Sequence, residues 1–172
     1  MGRGNVHVAV NISPRQLMAE DFVDIVRTSI EDAGIDPGQI QLEITESVLI
    51  ESMEDSVRKL SQLRSLGVTL SLDDFGTGYS SLTYLRTLPV DILKIDKSFI
   101  DRIHDDVIQL QMVGSIIDLG HTLGLSIVAE GVETKEQLRL LTHFKCDCIQ
   151  GYIFSRPMSE QDAIDFLASD RI

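Results

Sequence analysis

Val68-Thr69-Leu70-Ser71-Leu72-Asp73-Asp74-Phe75-Gly76-Thr77-Gly78 sets the reading of this chain. An apolar run of strand length, 68–72, ends in two adjacent carboxylates and enters a turn with two glycines. Ahead of it, 53–66 carries Val57, Leu60, Leu63 and Leu66 on one helical face, and Gly67 closes that helix. The unit is a helix, a buried strand and a polar strand end, and it recurs in both directions. Upstream, the run 6–10 ends at Asn11, and the run 40–45 contains Glu43 with Glu46 just beyond. Downstream, 92–95 carries Lys94 with Asp96 after it, 125–129 ends at Glu130 with Glu133 following, and 146–149 ends at Gln150. Helical patterns fall between these runs, over 21–33, 81–88, 107–123 and 134–144, with a last one from 159. Gly34 and Gly124 stand where helix-terminating glycines belong. Thr134 with Gln137 three residues on is a capping-box pattern.

Strands that are apolar nearly throughout mark parallel strands covered on both faces. Regular βα alternation leaves a doubly wound sheet or a (β/α)8 barrel. A doubly wound sheet gathers ligand groups at one switch point, whereas a barrel turns the C-terminal ends of all its strands toward one mouth. Every run here ends in a group able to hold a metal or a substrate, so the pattern predicts an α/β fold of the TIM-type (β/α) barrel.

Composition narrows the function. Net charge is −12, with 15 Lys+Arg against 27 Asp+Glu. No basic stripe suits a polyanion, so binding of DNA or RNA polymers is not expected. Hydrophobic residues make up 43% of the chain, enough for a core, but no stretch approaches the roughly 18 apolar residues of a membrane span. A cytoplasmic location without membrane insertion is expected, including as the cytoplasmic part of a membrane-anchored parent. Cys146 and Cys148 are spaced C-x-C, neither a redox nor a zinc pair, and read as reduced, buried or half-buried thiols. Carboxylates and amide oxygens are hard donors that suit Mg²⁺ or Mn²⁺. Adjacent Asp73 and Asp74 could serve two ions about 4 Å apart, and Lys94 among the carboxylates could hold water or a phosphate oxygen.

Six segments carry a resemblance. VAVNIS (8–13), LEITES (42–47), LDDFGTGYSSL (72–82), LPVDILKID (88–96), VAEGVET (128–134) and QGYIFSRP (150–157) together resemble the EAL family of cyclic di-GMP phosphodiesterases. The resemblance implies that Asn11, Glu43, Asp73, Asp74 and Glu130 hold two Mg²⁺ or Mn²⁺ ions. It implies that Lys94 orients the attacking water and that Glu130 is the general base. Asp74, Glu133 and Gln150 would line the substrate site, and Glu46 would anchor the DFGTGYSS loop, a mobile switch coupled to dimerisation. The implied reaction is hydrolysis of cyclic di-GMP to linear pGpG in bacterial signalling.

The Glu-Ala-Leu tripeptide of that family is not found in this sequence. Residues 1–172 therefore read as one EAL-type domain, its C-terminal three-quarters, with about six of eight strands and the first two βα units missing. Open barrel edges predict a homo-oligomer or domain-swapped dimer. Two other functions remain open: an inactive cyclic di-GMP receptor, and an interaction module completed by oligomerisation.

Overall fold

The computed structural model describes residues 6–46, 53–76 and 85–168. Six strands form one parallel sheet in sequential order: β1 (Val8–Ile12), β2 (Ile40–Thr45), β3 (Thr69–Phe75), β4 (Ile92–Ile95), β5 (Ser126–Ala129) and β6 (Cys148–Ile149). The helices are α1 (Pro14–Met18), α2 (Phe22–Ala33), α3 (Met53–Ser65), α4 (Lys97–Ile100), α5 (Val107–Thr122), α6 (Lys135–His143) and α7 (Glu160–Ala168). This is an α/β fold, an incomplete TIM barrel. Neighbours in sequence are neighbours in space throughout, the strand order of a barrel and not of a doubly wound sheet, whose order reverses at a switch point. No helix among the described residues is long and apolar enough to cross a membrane.

The sequence patterns map closely onto these elements. Gly34 terminates α2 in the left-handed conformation, φ 63°. Thr134 and Gln137 form the reciprocal capping box of α6. The core lies between sheet and helices, around Leu42, Ile44, Leu60, Leu70, Leu93, Ile95, Ile117 and Ile127.

Four expectations need correction. β1 is exposed at Val8, Ala9, Val10 and Asn11, because it is an edge strand and only an inner strand is covered on both sides. β6 is only two residues long, and Cys146 precedes it. Cys148 is exposed while Cys146 is half-buried; both are free. β3 runs on to Phe75, so Asp73 and Asp74 lie within the strand and not beyond it. The first half of the helical pattern over 81–88, and the loop after Gly76, lie outside the described residues.

Two helices escape the periodicity reading. α1 is a single short helix with Ser13 and Gln16 in a capping box and Pro14 in its first turn. Lys59, 4% exposed, closes its other end: Nζ donates to the carbonyls of Leu17, Met18 and Ala19 at 2.9, 2.9 and 3.1 Å. A buried ammonium is tolerated because these acceptors and Asp55, at 3.3 Å, replace its water. α4 is one turn, capped by Asp96, which accepts from Ser98 N at 3.0 Å.

The lower ends of the strands repeat one device. Asp91, just before β4, accepts from Leu70 N of β3 at 3.0 Å and pairs with Arg64 of α3 at 2.8 Å. Asp147, just before β6, accepts from Ile127 N of β5 at 2.8 Å and meets His121 of α5 at 2.8 Å. For Asp147, burial opposes ionisation, but the Ile127 N–H and His121 outweigh it and hold the pKa below the usual value. A depressed carboxylate pKa adds stability above the ordinary value of about 3.9, and that stability is lost as pH falls through the folded pKa. Asp147→Asn should therefore lower the urea midpoint at pH 6, and the gap from wild type should close as urea melts are run at pH falling through the lowered pKa of Asp147.

Candidate functional site

β3 explains how two adjacent carboxylates face one site. In a regular strand, successive side chains point to opposite faces. Between β3 and β4 the register shifts: Leu72 pairs with Leu93 and Phe75 with Ile95, so Asp73 and Asp74 together oppose Lys94. This is a β-bulge, and Asp74 sits in it at φ 56°, a region that Asp tolerates better than most residues. The Asp74 N–H donates to Asp73 Oδ1 at 2.9 Å, which fixes the pair. Carboxylate oxygens of Asp73, Asp74 and Glu130 lie within 4.8 Å of one another.

Lys94 is the hub. Its side chain is 3% exposed, and Nζ lies 2.6 Å from Glu130 Oε1, 2.9 Å from Glu43 Oε2 and 3.3 Å from Asp73 Oδ1. Burial disfavours its charge, but the bonds to Glu130 and Glu43 win, and its pKa lies above the ordinary lysine value. Glu130 is pushed upward by burial first; Lys94 pulls it down, while Asp73 and Glu43 push it up. Asp74 is also raised, by burial and then by the carboxylates of Asp73 and Asp96. Gln41 supports the wall below, donating to Glu43 Oε1 at 3.0 Å and to Ser71 Oγ at 3.2 Å. Gln41 and Glu43 share a strand face, a two-residue spacing that the sequence displays but that gains meaning only once Ser71 is placed beside it.

The other candidates spread along the same rim. Asn11 is exposed on β1, in register with Glu43. Glu133 is exposed and pairs with Lys97 at 2.8 Å. The side chain of exposed Gln150 is not drawn into the carboxylate cluster; its backbone holds the strand end, donating to Ala129 O at 2.9 Å and accepting from Val132 N at 3.1 Å. Glu46 is 8% exposed, and its Oε2 has no hydrogen-bond partner among the described residues. Such a buried orphan oxygen is costly.

Gly151 was not singled out by sequence. A Cβ there would fall onto the backbone of Val132, with its carbonyl carbon at 2.8 Å. The chain after β6 thus presses against the loop holding Glu130 and Glu133. Gly151→Ala has no flexible neighbour to displace, and a loss of about 3 kcal/mol is expected in chemical denaturation.

The residues fit a divalent cation. Asp73, Asp74 and Glu130 offer hard oxygen donors at one partly buried point, and burial first, with neighbouring carboxylates second, raises the pKa of Asp74 and Glu130, a cost to the ionised forms that a bound cation would offset.

Known proteins agree with this architecture. The family model described as "EAL domain" matches residues 1–157. The chain is 44% identical over 170 residues to cyclic di-GMP phosphodiesterase NbdA of Pseudomonas aeruginosa, covering 99% of this chain and 22% of that protein. It superposes on the Pseudomonas aeruginosa MucR phosphodiesterase in complex with c-di-GMP with a TM-score of 0.87 at 43% identity, over 91% of this chain and 64% of that one. It superposes on a manganese and c-di-GMP complex of Klebsiella pneumoniae BlrP1 with a TM-score of 0.82 at 34% identity, over 90% of this chain and 40% of that one. The chain spans about a fifth of the length of the curated relatives it matches. Six parallel strands in this order, the bulged carboxylate pair and the family match lead to one conclusion: the chain belongs to the EAL domain family.

Proposed function

We propose that this chain carries the metal-binding half of a phosphodiesterase site that hydrolyses cyclic di-GMP to linear pGpG. The observation that carries the reading is the junction of Asp73, Asp74 and Glu130 beside buried Lys94. Relatives named as cyclic di-GMP phosphodiesterases, and related structures holding c-di-GMP, support the substrate.

In this reading Asp73, Asp74 and Glu130, with Glu43 and Asn11 on the adjoining strands, hold two Mg²⁺ or Mn²⁺ ions. Such cations lower the pKa of water and offset charge on the phosphoryl oxygens. The protein's own groups do the rest. Lys94 holds a water by its ammonium and keeps Glu130 and Glu43 oriented. Glu130, its pKa raised by burial, accepts a proton from the attacking water more readily than an ordinary carboxylate. Glu133 and Gln150 stand on the rim where a nucleotide would rest, and Glu46 is the loop anchor that the family resemblance implies, for a loop that lies outside the described residues. The exposed apolar residues Val6, Val8 and Val10 at the β1 edge support association of copies in a cytoplasmic protein, which light scattering would reveal as a mass above the monomer.

The test is incubation of the purified chain with cyclic di-GMP and Mn²⁺, with products resolved by chromatography. Formation of pGpG that disappears in Glu130→Ala supports the reading. A folded wild-type chain that neither cleaves nor binds cyclic di-GMP refutes it for this chain.

A further inference from the structure

We propose that α4 is a strut that sets the spacing between the two carboxylate-bearing loops, with Phe99 and Lys97 as its positioning residues. The proposal rests on reading Asp73, Asp74 and Glu130 as one cation-holding cluster. Those three groups sit on separate segments, the β3 bulge and the end of β5, and like charges push such segments apart unless something fixes them. α4 is in contact with both.

On one side the Phe99 ring lies on Gly76, two residues past Asp74. A Cβ at Gly76 would meet Phe99 Cζ at 2.7 Å and Cε2 at 2.8 Å. The ring therefore rests directly on the backbone where β3 ends. On the other side the Lys97 stem crosses Gly131, the residue after Glu130. Both Cβ and Cδ of Lys97 would lie 2.6 Å from a Cβ placed there. Lys97 Nζ then reaches Glu133 Oε1 and Asp101 Oδ1, each at 2.8 Å. Each of these two glycines is matched to a side chain of α4, and each lies within two residues of the carboxylate cluster, Gly131 directly after Glu130 and Gly76 two past Asp74.

A strut must itself be held. One helical turn has no stability of its own, and α4 gains it from three fixtures. Asp96 caps its first N–H groups. Gln109 of α5 donates to the carbonyls of Ser98 at 2.6 Å and Phe99 at 2.8 Å. Gln137 of α6, 3% exposed, donates to Ile100 O at 3.2 Å while its Oε1 accepts from Glu133 N and Thr134 N at 2.9 Å each. Gln137 thus fastens α4 to the Glu130–Glu133 loop a second time. The Ile100 side chain is fully buried and bars rotation of the turn. The segment cannot follow one loop without pulling on the other.

The test uses the 172-residue chain, Phe99→Leu and Lys97→Met, with amide NMR spectra without metal and Mn²⁺ affinity by electron paramagnetic resonance. Phe99→Leu should move the amides of Gly131, Val132 and Glu133 as well as those near Gly76. Lys97→Met should move those of Asp74, Phe75 and Gly76. Each variant should bind Mn²⁺ about tenfold more weakly, as loss of a supporting contact does at metal sites, with melting temperatures close to wild type. Shifts confined to the mutated side, or unchanged Mn²⁺ affinity in a wild type that binds, would overturn the strut. Shifts that cross α4 in a wild type that binds no Mn²⁺ would support the strut and overturn the metal reading instead.

Discussion

Lys94→Met should cost the fold about 3–5 kcal/mol in denaturation experiments, as removal of one partner from a buried charge cluster does. Methionine matches the length of the lysine stem, so packing is largely preserved and the loss reports charge. Glu43, Asp73 and Glu130 would then face one another with no cation among them, at side-chain exposures of 7, 12 and 16%. Two recoveries should follow. Lowering the pH protonates the carboxylates and should narrow the gap from wild type. Adding Mn²⁺ should raise the variant's melting temperature more than that of wild type, because the ion supplies the missing positive charge; a site bound at 100 times its Kd gains about 2.7 kcal/mol. In the wild type, the lysine's contribution is present below its ordinary pKa of about 10.4 for as long as its carboxylate partners are ionised, and on the alkaline side it is lost as pH rises through the higher folded value. On the proposed function, hydrolysis by the variant should fall by about 10²–10³-fold, the range for losing one preorganised electrostatic group. A variant as stable as wild type without metal would show that the cluster is not held by Lys94.

Legibility in the sequence divides along physical lines. Gly34, Gly124, Thr134 and Gln137 act within a few residues of themselves, so helix ends could be read directly. The alternation of buried strands with helices, and polar groups at every strand end, pointed to the barrel mouth before any coordinate. What could not be read depends on partners distant in sequence. The bulge that turns both Asp73 and Asp74 inward exists only as a register mismatch against Lys94, about twenty residues on. Lys59 looks like a surface helix lysine until α1 presents its carbonyls. α1 was missed because it is shorter than the helical period needs to show, and its only local signal is the cap formed by Ser13, Pro14 and Gln16. Gly76 and Gly131 look like loop glycines; Phe99 and Lys97 give each a steric reason. Exposure of Asn11 follows from β1 being an edge, a fact about the sheet and not about the strand.

Asp74→Asn separates function from stability most sharply. Asp74 has its pKa raised by burial and by Asp73 and Asp96, so its ionised form is disfavoured by the fold. Asparagine removes that charge, keeps the shape, and is at least as tolerant of φ 56°. The backbone N–H of residue 74 can still donate to Asp73 Oδ1. The variant should therefore melt at the same temperature as wild type or higher. Its stability advantage should be largest above the raised pKa, where wild-type Asp74 is charged, and should shrink as the pH is lowered and Asp74 takes up its proton. On the proposed function, cyclic di-GMP hydrolysis should nonetheless drop by about 10³-fold or more, because the cation site would lose one of its carboxylate donors. Mn²⁺ affinity should fall with it. A residue that destabilises the protein it sits in, and whose removal strengthens the fold while ending the chemistry, is retained for the chemistry. Loss of stability in Asp74→Asn with activity intact would reverse that assignment, making the bulged carboxylate a structural member of the turn.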